Sequence, residues 1–134
     1  MNKKSIIALV MLFTLAMPMM ASEQRHEVEH HQRKEMRDKF RPKAMQDEDF
    51  SMMCKVVEDA SFPDKMIGVI KVACISSYFT SKQCAQLLSM FSFENDKLKA
   101  LKVLHPRMLD IDAKPILKQF TFSNNKDKAI DILL

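Results

Sequence analysis

Three short strings recur at a near-constant interval along the chain: VVEDASF (56–62), LLSMFSF (87–93) and ILKQFTF (116–122). Each sets two branched or leucine-like residues, three spacers, then Ser/Thr-Phe. A second block follows each one, as Asp64-Lys65-Met66, Asp96-Lys97-Leu98 and Asp127-Lys128-Ala129. The phenylalanines stand 31 and 29 residues apart, and the Asp-Lys pairs 32 and 31. A unit of about 30 residues in three copies restricts the chain to a repeat architecture, in which each copy buries an apolar face only by stacking on the next.

Periodicity inside the unit says what is repeated. Phe50, Met53, Val56, Val57 and Ala60 fall at helical intervals before the first turn, as do Cys84, Leu87, Leu88 and Phe91 before the second. Met66, Ile67, Val69, Ile70 and Ala73, then Leu98, Leu101 and Leu104, do so after it. No alternating pattern of useful length competes. The expectation is an all-α domain of about six short helices, arranged as three helix-turn-helix repeats in a compact α-solenoid-like stack. The helices are expected near 48–60, 63–76, 80–91, 94–105, 112–120 and 124–134. Thr80-Ser81-Lys82-Gln83 fits a capping box. Ser61 with Asp64, Ser92 with Asn95, and Ser123 or Asn124 offer further caps, and Asp112 suits the start of the fifth helix. Pro63 and Pro115 suit first turns. The turn phenylalanines, Phe62, Phe93 and Phe122, are expected to plug the apex of each helix pair.

The motifs together, Phe79-Thr80-Ser81-Lys82-Gln83, Leu87-Leu88, Phe91-Ser92-Phe93, Asp96-Lys97-Leu98 and Phe120-Thr121-Phe122-Ser123, resemble a recurrent bacterial domain of unknown function found in secreted or envelope proteins. The resemblance covers about residues 48–134. It implies a small helical domain and brings no assigned activity and no catalytic residue.

Two segments precede the repeats. Residues 1–21 have the layout of a secretory signal peptide: Lys3 and Lys4, an apolar run from Ile6 to Met17, Pro18 and a small Ala21, although Met19 occupies the −3 position. The run falls short of the roughly 20 apolar residues of a membrane span. No cysteine stands at the cut to carry a lipid. The mature protein is thus expected to be exported, periplasmic or secreted, with no stable membrane span. Residues 22–46 read as a charged leader, a frayed helix or a disordered stretch ending at Pro42, with Val28, Met36 and Phe40 on one stripe and Glu29–Arg33 and Glu35–Lys39 as favourable pairs. Residues 47–134 form the repeat domain.

Charge and composition exclude some functions. Cleavage removes Lys3 and Lys4 and lowers the net charge from +4 to +2. The repeat domain itself carries twelve residues of each sign, which excludes the concentrated cationic face of a nucleic-acid binder. A single glycine, Gly68, rules out glycine-rich phosphate loops.

One string names a chemistry. His26-Glu27-Val28-Glu29-His30 has the H-E-x-x-H spacing of a zinc peptidase, with His26 and His30 one helical turn apart and Glu27 as the base. Charged neighbours surround it, and the only histidine beyond His31 is the distant His105. A chance match in a charged helix explains it better. The alternative reading is a metal-binding protein holding Zn²⁺ or Cu²⁺ on His26, His30 and His31, or a zinc hydrolase. Of three cysteines, Cys54, Cys74 and Cys84, the pair Cys74 and Cys84 flanks one inter-helix turn and is the candidate disulfide. As a nucleophile pair with His105 they are less convincing than as core residues, and His105 suits a helix end. Asp110-x-Asp112 offers too few carboxylates for Ca²⁺. Lys97, Lys99 and Lys102 form a basic edge read as solvated. With no catalytic set and no cofactor implied, the expected function is a non-enzymatic module contacting another envelope or secreted protein.

Overall fold

The computed structural model describes residues 22–134. The expected signal peptide, residues 1–21, lies outside them. The described residues form seven α-helices and one 3-10 turn, with no strand among them. They belong to two compact units that divide between Arg41 and Pro42.

In the first unit, α1 (Ser22–Phe40) runs unbroken for 19 residues and has no buried residue. It ends just ahead of Pro42, whose ring biases the preceding residue away from helical geometry. Glu35, expected opposite Lys39, instead lies 3.2 Å from His31 Nε2, an ion pair only while His31 is protonated. The leader is therefore a regular helix as far as Phe40.

The second unit is all-helical and compact. It holds α2 (Asp47–Asp59), α3 (Pro63–Cys74), α4 (Ser81–Ser89), α5 (Glu94–Leu104), the 3-10 turn His105–Arg107, α6 (Ala113–Leu117) and α7 (Ser123–Leu133). These are the six expected helices, paired α2/α3, α4/α5 and α6/α7. The second helices stack in order, α3 on α5 and α5 on α7, and α4 packs on α6. One core joins all three pairs, including Val57, Ile70, Phe79, Leu87, Leu88, Leu101, Leu104 and Ile116, all fully buried.

A feature not legible in the periodicity defines the start of each repeat. Ala44, Tyr78-Phe79 and Met108 lie side by side, joined by parallel backbone bridges Ala44–Tyr78 and Phe79–Met108. Met45 N–H donates to Tyr78 O at 2.8 Å, Phe79 N–H to Arg107 O at 2.8 Å and Leu109 N–H to Phe79 O at 3.0 Å. Each repeat thus begins with an extended lead-in a few residues before its first helix. For this reason the domain begins at Pro42 rather than near residue 47, and Met45 packs against the core.

Two expected local features hold. Thr80 and Gln83 form the capping box, with Gln83 N–H to Thr80 Oγ1 at 3.2 Å and Thr80 N–H to Gln83 Oε1 at 3.0 Å. Asp112 Oδ1 accepts the Lys114 N–H at 3.1 Å and starts α6.

The turns between paired helices differ from expectation. The N-cap residues of α3, α5 and α7 are Phe62, Phe93 and Phe122, and none makes a side-chain cap. Their rings are 65, 70 and 66 % exposed. The apex is filled two residues earlier, by buried Phe91 and Phe120, with the smaller Ala60 in the first repeat. The N-cap residues are extended, at φ −100, −105 and −81. Side chains two residues apart across a reversing turn need not share a side, and the ring that follows the reversal faces water. Counted from these N-caps, Asp64-Lys65 and Asp96-Lys97 nearly coincide but Asp127-Lys128 does not, so the third Asp-Lys match is not an equivalent position.

Ser61 is not a cap either. It sits at φ +63, the only positive φ outside glycine among the described residues, and its hydroxyl donates to Asp59 O at 3.3 Å. A left-handed residue after a helix is the usual site of glycine, because a Cβ there costs roughly 1–2 kcal/mol. Ser61→Gly is expected to stabilise the domain by about 0.5–1 kcal/mol, read as a higher midpoint in urea with an unchanged m-value.

Gly68, by contrast, occupies the interior of α3 at ordinary helical φ, where a Cβ would meet nothing within 4 Å. Glycine there costs roughly 0.5–1 kcal/mol relative to alanine, and no contact within the domain requires it.

Candidate functional site

A hydrogen-bonded surface feature lies where the second and third turns meet. The lead-in and the turn each fix one end of a helix pair, so the α4/α5 and α6/α7 turns are held beside each other. Glu94, the first residue of α5, reaches across. Its carboxylate accepts the Thr121 N–H, the Phe122 N–H at 3.4 Å and the Asn125 side-chain amide at 2.6 Å. Lys97, one turn on, donates from Nζ to Gln119 O at 2.8 Å. The basic edge expected at Lys97, Lys99 and Lys102 is thus partly structural. Lys99 makes a surface pair with Asp96 at 3.7 Å, and Lys97 ties two repeats together.

Above this bridge is an open groove of about 400 Å³ lined by Phe93, Phe122, Glu94, Lys97, Thr121 and Asn125, among others. Its two rings are apolar and mostly in water, while its floor is already hydrogen-bonded. The two exposed rings offer apolar contact in an otherwise polar lining, and no reactive group is presented between them.

Desolvation pushes the Glu94 carboxyl up, but the hydrogen bonds from Thr121, Asn125 and Phe122 and the charge of Lys97 outweigh it. The net effect holds the group below its ordinary value. The linkage has a definite sign. A depressed folded-state pKa contributes stability that is present above the unfolded value and lost as pH falls through the folded one. Thermal melting is therefore expected to worsen below about pH 4, the unperturbed glutamate range, and Glu94→Gln is expected to flatten that acid limb. An unchanged limb in Glu94→Gln counts against the bridge.

The residues singled out from sequence are dispersed. His26, Glu27, His30 and His31 lie on the exposed α1. Among the described residues no group of three or more His, Cys, Asp or Glu side chains is placed to hold a metal ion. His105 is the C-cap residue of α5. Asp110 and Asp112 serve backbone: Asp110 Oδ1 accepts the Ser81 N–H at 2.7 Å, and Asp112 caps α6.

The three cysteines are buried and free, Cys74 and Cys84 included, so the candidate disulfide is not formed in this structure. Burial, then the neighbouring Cys74 and Asp110 charges, push the Cys84 thiol up to about 12. Burial and the Glu58 charge raise Cys54, and burial raises Cys74 against the opposing pull of Arg107. Thiolate is the form that exchanges or attacks, so these groups are core residues that stay protonated. A small alkylating reagent at pH 7.5 is expected to label none of them in the folded protein and all three in denaturant. Rapid native labelling of Cys84 contradicts its burial.

The exposed Phe93 and Phe122 were in view in the sequence, but as packing residues. The one signal that separates them from their buried neighbours is the Phe-x-Phe spacing itself. One ring of each pair fills the apex, which leaves the second ring for another use.

A family model described as a domain of unknown function, DUF4476, matches residues 44–133. No curated protein and no solved structure matches the chain.

Proposed function

This chain belongs to the DUF4476 family, and on that premise we propose that it acts as an exported, non-enzymatic protein-interaction module, periplasmic or secreted, whose partner is another envelope or secreted protein. The observation that carries this reading is the pair of exposed rings, Phe93 and Phe122, flanking the groove over the Glu94 bridge. Large apolar side chains placed in water at equivalent points of successive repeats destabilise nothing when removed and gain burial only through a partner. Export rests on the charged, apolar and small-residue layout of residues 1–21. Among the described residues no helix is long and apolar enough to cross a membrane.

The test has two parts. Cell fractionation is expected to place the protein outside the cytoplasm with residues 1–21 removed, and cytoplasmic retention sinks the export half. For the groove, immobilised protein is incubated with extracts of the envelope and the medium, alongside a Phe93→Ser/Phe122→Ser variant. The wild type is expected to retain a specific protein, and the variant to lose it by about ten-fold or more at unchanged melting temperature, the loss of about 1.4 kcal/mol of binding. Equal retention by the two rejects the groove as the contact.

A further inference from the structure

α1 carries three of the four histidines of the chain, His26, His30 and His31, and the groove reading uses none of them. The helix is unbroken across all three, with four residues ahead of His26 and ten after His30. His26 and His30 are i,i+4 neighbours, whose Cβ atoms lie about 5–6 Å apart on one face of a helix. Both are exposed. His31 stands off this pair, and its Nε2 faces Glu35 Oε1 at 3.2 Å.

Two imidazoles at this spacing can close on one ion. Each offers a lone pair when neutral, and metal–nitrogen bonds of about 2.0–2.1 Å are within reach of two side chains that start one turn apart. A peptidase needs far more, namely a third protein ligand and packed neighbours that hold the geometry. α1 has no buried residue, and among the described residues no third His, Cys, Asp or Glu completes a set. A chelate needs neither, because water fills the remaining positions and the helix alone sets the spacing.

The neighbouring charges nearly cancel. Glu23 and Glu27 stand three residues ahead of His26 and His30 and favour a cation, while Arg33 and Lys34, one turn beyond His30, oppose it. The donor atoms therefore decide which ions bind. Imidazole suits Zn²⁺, Ni²⁺ and Cu²⁺, whereas Ca²⁺ and Mg²⁺ demand oxygen ligands.

We propose that His26 and His30 form a two-histidine chelate for an exchangeable divalent transition-metal ion on α1, with no catalytic role. Two protein ligands leave the ion with open positions, so it exchanges rather than staying resident. The chelate requires helical spacing, so metal and helix stabilise each other. A helix with no buried residue is marginal in water, which makes that coupling measurable. The site is independent of the Phe93/Phe122 groove.

Isothermal titration calorimetry reads the binding directly, on protein purified without a histidine tag after expression of the full chain. The probes are Ni²⁺, Zn²⁺ and Cu²⁺ alone, with Ca²⁺ as the control. One ion per chain is expected, tightest for Cu²⁺, and no saturable binding of Ca²⁺. His26→Gln and His30→Gln are each expected to weaken binding about ten-fold or more. His31→Gln and His105→Gln are expected to leave it unchanged. The variant His30→Gln/Gln32→His keeps the number of histidines but takes one off the shared face, and is expected to bind no better than His30→Gln. Circular dichroism is expected to show a gain of helix with Ni²⁺ in the wild type that His26→Gln and His30→Gln lack at the same concentration. An absence of saturable Ni²⁺ and Zn²⁺ binding up to about 1 mM overturns the assignment. So does binding that survives His26→Gln, and so does a relocated histidine that binds as well as the wild type.

Discussion

Phe79→Ala is expected to destabilise the repeat domain by about 3–5 kcal/mol, the range for deleting a fully buried phenylalanine. Phe79 has no exposed surface, and its ring meets that of Phe50 edge-on at 6.4 Å between centroids. Phe50 lies in α2 and Phe79 in the lead-in of the second repeat, so one ring joins two repeats. Its backbone joins the second to the third, through Arg107 O and the Leu109 N–H. Alanine keeps those backbone bonds and removes the ring that shields them. A domain of this size has roughly 5–15 kcal/mol of total stability, so the loss is about a fifth or more of it. Urea unfolding followed by circular dichroism checks the figure. A shift under about 1 kcal/mol means that the cavity collapses freely and that Phe79 is not the keystone of the stack.

Ser81→Ala is expected to cost about 2 kcal/mol, large for the removal of one oxygen. Ser81 is fully buried. Its hydroxyl donates to Asp110 O at 2.6 Å and accepts the Asp112 N–H at 2.9 Å, while its own N–H reaches Asp110 Oδ1 at 2.7 Å. Alanine strands two backbone groups at once, and each partly buried orphan costs roughly 1–3 kcal/mol, less where water enters. Ser81→Thr retains the hydroxyl and serves as the control. If alanine and threonine are equally damaging, crowding rather than the hydrogen bonds is responsible. Gln83 works in the same region at two levels, capping α4 and donating from Nε2 to Met45 O at 2.8 Å, which fastens the first lead-in to the second repeat.

The helices were readable because their signals are local. Apolar spacing, the Thr80–Gln83 box, Asp112 and Pro63 each act within one or two turns, and α2 to α7 begin and end within a few residues of expectation. The lead-ins were not readable. Ala44-Met45, Tyr78-Phe79 and Met108-Leu109 share no side-chain pattern, since their likeness lies in backbone hydrogen bonds that any residue but proline can make. The turn phenylalanines misled for a different reason. Recurrence shows that a ring belongs in each turn, and hydrophobicity alone points to its burial. Two rings compete for one apex, and chain direction decides that Phe91 and Phe120 win it. Ser61 has a cap's spacing from Asp64 in the sequence, whereas its left-handed φ follows from how the α2/α3 turn closes. For the candidate site, the residues were legible and their exposure was not. Phe93 and Phe122 illustrate this most clearly, since the sequence shows two apolar residues and only the structure shows them in water.

The side-by-side lead-ins have a consequence for how the chain is made. A repeat array whose units touch only their neighbours can lock together unit by unit as it leaves the ribosome. Here the middle lead-in is sandwiched, and the backbone on its far side stays unpaired until Arg107 and Leu109 have emerged. The second helix pair is complete only at Leu104, so the clasp forms about five residues later, within roughly a second at 5–20 residues per second. Each lead-in therefore closes on its predecessor first, and the array locks in the order in which it is made.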